Sequence, residues 1–338
     1  MNLRHSLLAT LVAVIWGTNF VVIDAGMRGV PPLLFVALRF VLVVFPLIFF
    51  VKRPDVPWRA IVGVGLFMSA GQFGLLYLAM GLGLPAGLAS LVLQAQVLLT
   101  VGLSAVVLKE RPGRRQLVGV GLGVAGLIIV AVGRSAVAPM LPLILVLGAA
   151  LSWAIGNVVS RQAKAASGLG LVVWSGAVVP LPLGVLALLT DGAPAIGHAL
   201  MSLQPITILS ALFTAYLSSL LGYGIWNNLL RRYPSSYVVP FTLLVPPVGI
   251  AAAWLMLGEV PSAPELAGGA LLLAGVATAV LGGSAKPKVA PPPPPPSSNE
   301  HSVHDTGLYP APTGHSMGGR GEPAAAGPVT SGSRGSRS

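Results

Sequence analysis

The chain contains no cysteine. That excludes a disulfide framework, a thiol nucleophile and a cysteine-based metal site. Charge is also scarce: 9% of the 338 residues are Asp, Glu, Lys or Arg, against about a quarter in a typical soluble domain. So few charges cannot clothe a water-facing surface, so most of the surface must face lipid. No P-loop passage is present, so the chain does not itself use ATP in that way. No nucleophile–base set or metal-ligand cluster is visible, so neither enzyme chemistry nor a cofactor is expected. A net charge of +11 would suit nucleic acid, but the Lys and Arg residues lie in short loops and form no basic face.

What is present is apolar. Hydrophobic residues make up 54% of the chain, and the mean hydropathy is +0.85. Ten runs are long enough to cross a bilayer, which takes roughly 20 residues each: 6–27, 31–51, 59–80, 86–108, 115–133, 141–162, 169–190, 204–227, 234–257 and 263–282. Backbone groups in lipid must be satisfied internally, and runs this long and uniformly apolar do so as helices. The expected fold is an all-α integral membrane protein. No A-x-A cleavage site follows the first run, which therefore reads as a helix and not a cleaved signal.

Loop charges set the orientation. One face collects Arg4, Lys52, Arg53, Arg59, Lys109, Arg111, Arg114, Arg115, Arg161, Lys164, Arg231, Arg232, Lys286 and Lys288, and the other only Arg28 and Arg134. The asymmetry predicts ten spans with both termini cytoplasmic. A repeat crosses this pattern. Leu108-Lys109-Glu110-Arg111-Pro112 returns 149 residues later as Leu257-Gly258-Glu259-Val260-Pro261, and Leu117, Gly119, Leu122, Ala125, Gly126 and Gly133 match Leu266, Gly268, Leu271, Ala274, Gly275 and Gly282. Five helices per repeat is an odd number, so the second copy enters the membrane upside down. Two inverted five-helix repeats, 6–133 and 141–282, are the architecture of secondary transporters. Residues 284–338, with six prolines from Pro291 to Pro296, read as a disordered cytoplasmic tail. His301, His304, Asp305 and His315 there are too loosely spaced to form a metal site.

The two glutamates read first as helix-start chemistry, since a carboxylate and a proline both suit a first helical turn. A gating role is the alternative. Ser262-x-x-Glu265 reads as a capping box, and Gly119-x3-Gly123 as a close-packing face. Arg39 lies about 12 Å into the second helix, where a charge needs a partner. Asp24 is its expected partner, and a substrate carboxylate is the alternative. At similar depth lie Trp16, Asn19, Gln72, Gln94, Gln96, Trp153 and Asn157, which either bond to neighbouring helices or line a substrate cavity; Tyr216, Tyr223 and Trp226 in the eighth helix add walls to it or anchor at the interface. Gln94 and Gln96 are two apart, so on a continuous helix one of them at most lines a given cavity. Pro240, Pro246 and Pro247 mark a hinge or a fixed kink. No span centre holds a carboxylate or a His, which leaves proton coupling and facilitated diffusion both open.

Trp16-Gly17-Thr18-Asn19-Phe20, Leu38-Arg39-Phe40, Glu110-Arg111 and Ser152-Trp153-Ala154 resemble the pattern of EamA-type carriers of the drug/metabolite transporter superfamily, over residues 6–282. The passages 85–96, 222–226 and 243–246 resemble the O-acetylserine/cysteine exporter branch. The resemblance implies export of small zwitterionic amino-acid metabolites through a bacterial inner membrane. A broad drug/metabolite exporter of the same fold is the first rival. A membrane sensor or assembly protein acting through the tail is the second, and the long tail departs from the compact family pattern.

Overall fold

The computed structural model describes residues 1–45, 47–135, 139–163 and 168–282; the tail expected at 284–338 lies outside the described residues. Among the described residues ten helices are long and apolar enough to cross a membrane, and no strand occurs. They are α1 (Leu3–Gly26), α2 (Pro32–Phe49), α3 (Trp58–Gly81), α4 (Ala86–Val107), α5 (Arg114–Arg134), α6 (Leu141–Ala163), α7 (Gly170–Met201), α8 (Pro205–Arg232), α9 (Val239–Leu257) and α10 (Ala263–Leu281). The chain is a multi-pass all-α membrane protein. Large apolar side chains such as Leu117 and Ile128 on α5 are exposed, as expected where lipid is the solvent. Past the expected end of the seventh span, Gly192 turns the chain at φ +81°, and a second helical stretch runs on to Met201.

The repeat in the sequence is a repeat in the backbone. After α4, Lys109 adopts φ +55° and the Glu110 N–H reaches back to Ser104 O at 3.3 Å. After α9, Gly258 adopts φ +71° and the Glu259 N–H reaches Ala253 O at 3.3 Å. Both are left-handed helix stops that satisfy end carbonyls. The third helix of each half contains a π segment at the same place, Gly65–Gly71 in α3 and Phe213–Leu221 in α8. The fourth helix of each half is interrupted at the same place too. α4 pauses at Leu93 and Gln94, and 149 residues later α9 opens with a 3₁₀ stretch, Val239–Leu244, before its α-helical run Val245–Leu257. Pro246 and Pro247 fall in the first turn of that run, where a missing N–H costs nothing.

The two halves meet along α5 and α10. A Cβ on Gly119 would lie 2.5 Å from Gly275 O, and one on Gly126 would lie 2.5 Å from Gly268 O. Only glycine lets the two backbones approach this closely. Gly119 precedes Gly126, while its partner Gly275 follows Gly268, so the helices are antiparallel. Under the 149-residue offset Gly119 corresponds to Gly268 and Gly126 to Gly275, so the two contacts exchange. The halves are inverted repeats about a pseudo-two-fold axis through this seam.

Candidate substrate cavity

The π segments bring polar groups inward. A π turn widens the helical ladder, and in each segment one carbonyl also accepts from the first helix of the other half. Ser152 Oγ on α6 donates to Phe67 O at 2.7 Å, and Trp16 Nε1 on α1 donates to Ser218 O at 3.0 Å. Gly222 is glycine because a Cβ there would lie 2.7 Å from Trp16 Nε1. The interrupted helices face each other as well, with Gln94 Nε2 donating to Thr242 O at 3.3 Å.

Between these elements lies a cavity of about 360 Å³, lined from both repeats. Trp16, Asn19, Arg39, Gln72, Gln94, Gln96, Trp153, Asn157 and Tyr223 all line it. Tyr216, expected with them, does not, and is half-buried elsewhere on the π segment. Gln94 and Gln96 line the same cavity, against expectation. The pause at Leu93 and Gln94 rotates one relative to the other, so the continuous-helix argument does not apply. Trp16 forms an aromatic corner with Tyr223 and Trp226, ring centroids 5.1 and 5.3 Å away. Asn157 Nδ2 donates to Thr100 Oγ1 at 3.4 Å. The amide oxygens of Asn19, Gln72 and Gln96 are buried without hydrogen-bond partners.

Arg39 is the one charged residue in the described lining, and it is 2% exposed. The expected pairing with Asp24 is not formed. Asp24 lies one helical turn from Arg28 and pairs with it at 3.6 Å, at a partly exposed position. Arg39 instead has neutral supports. Nη1 donates to Tyr77 Oη at 2.8 Å and Nη2 to Ser219 Oγ at 2.9 Å, with the Phe73 ring centroid 4.2 Å from the guanidinium carbon. Ser219 Oγ itself donates to Thr214 O at 2.9 Å, five residues back in the π segment. Among the described residues no carboxylate balances the charge. Hydroxyls at matching depth, and not only acids, are the sequence signal that points to Tyr77 and Ser219. Exposed i,i+4 pairs contribute little. Asp24→Asn is therefore expected to change stability by about 0.5 kcal/mol or less, as thermal unfolding in detergent would record.

The glutamates depart from the helix-start reading. Glu259 does not cap α10, whose first turn is instead served by Glu265, accepting from Ser262 N at 2.9 Å. Glu259 crosses to the other repeat, where Oε1 accepts from Ala86 N at 2.9 Å and Oε2 from Gly87 N at 3.0 Å. Glu110 is bound by Arg161, Nη2 to Oε1 at 2.6 Å and Nη1 to Oε2 at 3.4 Å. On the Glu259 face, Arg134 also joins Glu265 at 3.8 Å and donates to Gly83 O at 3.4 Å.

Residues 3–132 and 140–281 each match the EamA-like transporter family. The chain belongs to that family. As an EamA-like transporter it is a carrier and not an enzyme. It is 45% identical to a protein of Salmonella typhimurium named a probable amino-acid metabolite efflux pump, covering 83% of this chain and 96% of that one. An Escherichia coli protein of the same name is 42% identical over the same shares. A probable terminal-alkyne amino-acid exporter of Streptantibioticus cattleyicolor is 31% identical, covering 67% of this chain and 74% of that one. One solved crystal structure, 19% identical, superposes with a TM-score of 0.56 over 82% of this chain and 96% of that one, which concerns the fold alone.

Proposed function

We propose that this EamA-like carrier exports small amino-acid metabolites, O-acetylserine and cysteine among them, from the cytoplasm through a bacterial inner membrane. The observation that carries the reading is Arg39, a buried guanidinium on the cavity wall with no carboxylate beside it. A buried charge without a counter-ion is costly, and a ligand carboxylate removes that cost while it is bound. The amides and aromatic faces around it suit the rest of a small polar molecule. At about 360 Å³ the cavity is near the lower end of the range for ligand pockets. The names of the Salmonella and Escherichia relatives support export of this class.

Transport follows alternating access, with the two repeats rocking about the cavity. The loop-charge asymmetry supports a cytoplasmic N-terminal face. Cells overexpressing the chain are expected to raise extracellular O-acetylserine and cysteine several-fold over the empty vector. Unchanged levels of both would reject the substrate assignment. Repeating the assay in proteoliposomes, with and without a pH gradient, reads the coupling directly.

A further inference from the structure

The two faces of the molecule carry the same parts in different arrangements. On the face opposite the N terminus, Glu259 from the α9–α10 turn holds the backbone N–H groups of Ala86 and Gly87, which follow Pro85 at the start of α4. The bond joins one repeat to the other. Gly87 permits the approach, since a Cβ there would lie 3.2 Å from Ile250 Cα and 3.6 Å from Glu259 Oε2. The 149-residue offset maps Glu259 to Glu110, Pro85 to Pro234, and Ala86 and Gly87 to Ser235 and Ser236. On the N-terminal face, however, Arg161 holds both oxygens of Glu110 and also donates to Ser104 Oγ at 3.0 Å. Aligning Trp153 of α6 with Trp16 of α1 places Arg161 where the first repeat has Asp24. A cation therefore waits beside Glu110, and an acid stands at the matching place in the other half.

We propose that Glu259 and Glu110 are the paired gate residues of the transport cycle. Each closes its own face by capping the interrupted fourth helix of the opposite repeat, and only one is engaged at a time. In this structure the Glu259 gate is engaged and Glu110 is parked on Arg161. In the opposite state Glu259 releases α4, and Glu110 leaves Arg161 for the backbone N–H groups of Ser235 and Ser236. Inverted repeats alternate by exchanging their conformations across the pseudo-two-fold axis, and this exchange turns each arrangement into the other. Two backbone N–H groups aimed at a carboxylate form charge-assisted bonds. They are strong enough to hold a gate and few enough to release it. The inference rests on alternating access about the cavity and not on the substrate.

Because the chain has no cysteine, introduced cysteines are unique labels. Spin labels at the exposed positions Leu82 and Val260 report one face, and labels at Arg111 and Arg231 the other. In detergent without substrate, Glu259→Gln is expected to lengthen the first distance and shorten the second, shifting the two populations about tenfold. Arg161→Gln releases Glu110 and moves both distances the same way. Adding Glu110→Gln to Arg161→Gln cancels that shift. Unchanged distances in both single variants, or an Arg161→Gln shift that survives in the double variant, would overturn the proposal. If Glu259→Gln fails to fold, the Arg161 arm decides alone. Distance shifts without amino-acid export would reject the substrate and keep the gates; export without the shifts would do the reverse.

Discussion

Arg39→Gln is expected to abolish export and, at the same time, to leave the protein's stability nearly unchanged. The two effects separate if, as proposed, the guanidinium serves the ligand more than the fold. In the resting carrier it is buried against Tyr77, Ser219 and Phe73, and among the described residues no acid pairs with it. Glutamine loses two charge-assisted hydrogen bonds to hydroxyls, about 1.5–3 kcal/mol each, and the cation–π contact with Phe73. It also removes a desolvated charge, which costs several kcal/mol even after relaxation. The two contributions are of similar size, so the net change in stability is small. With substrate bound the balance is lost. A carboxylate loses its charge-assisted bonds, about 1.5–3 kcal/mol each, so two bonds amount to a decrease in kcat/KM of roughly a hundredfold or more. Arg39→Lys keeps the charge but cannot hold Tyr77 and Ser219 together while lying against Phe73, so little activity should return. Efflux kinetics and thermal unfolding on the same preparations check both effects. A variant that lost export and stability together would assign Arg39 to the scaffold.

The second large effect lies in the α5–α10 seam. Gly126→Val is expected to abolish folded protein, since its Cβ would fall 2.5 Å from both Gly268 O and Leu272 N. Both obstacles are backbone, and neither can rotate away. Overpacking of this kind costs about 1–3 kcal/mol where side chains can adjust, and here they cannot. On the same helix, a Cβ added at Gly121 would meet nothing within 4 Å, so Gly121→Val should leave expression unchanged. Fluorescence-detected size-exclusion profiles of the two variants make the comparison. Equal profiles would mean that the halves do not depend on this contact.

The fold can be read from the sequence because lipid imposes simple demands. Apolar runs of spanning length, charged loops of alternating density and one passage written twice determine ten helices and their inversion. Much of the cavity can be read as well, since an amide or a tryptophan at mid-depth has few places to go. The reading fails where helices stop being regular. Gln94 and Gln96 share a wall only because α4 pauses between turns, and pattern arguments assume an unbroken helix. Helical counting misplaces Tyr216 because it runs through a segment that winds as a π-helix. Depth alone matches Arg39 to the nearest acid, yet Asp24 is one turn from Arg28, and a neighbour in the chain is the easier partner. Local sequence assigns Glu259 to the helix it precedes. Its true partners, Ala86 and Gly87, are more than 170 positions away.

The glycine seam has one more consequence. A contact that maps onto itself when the halves are exchanged is isologous, and each half then carries both surfaces needed to make it. A single five-helix chain, inserted into the membrane once in each direction, could pair with itself through the same glycines. This carrier is in effect an antiparallel homodimer whose subunits have been joined end to end. The odd number of helices is what allows a short link to join them. With an even number, the second unit would have entered the membrane the same way up, and the seam would have had no partner.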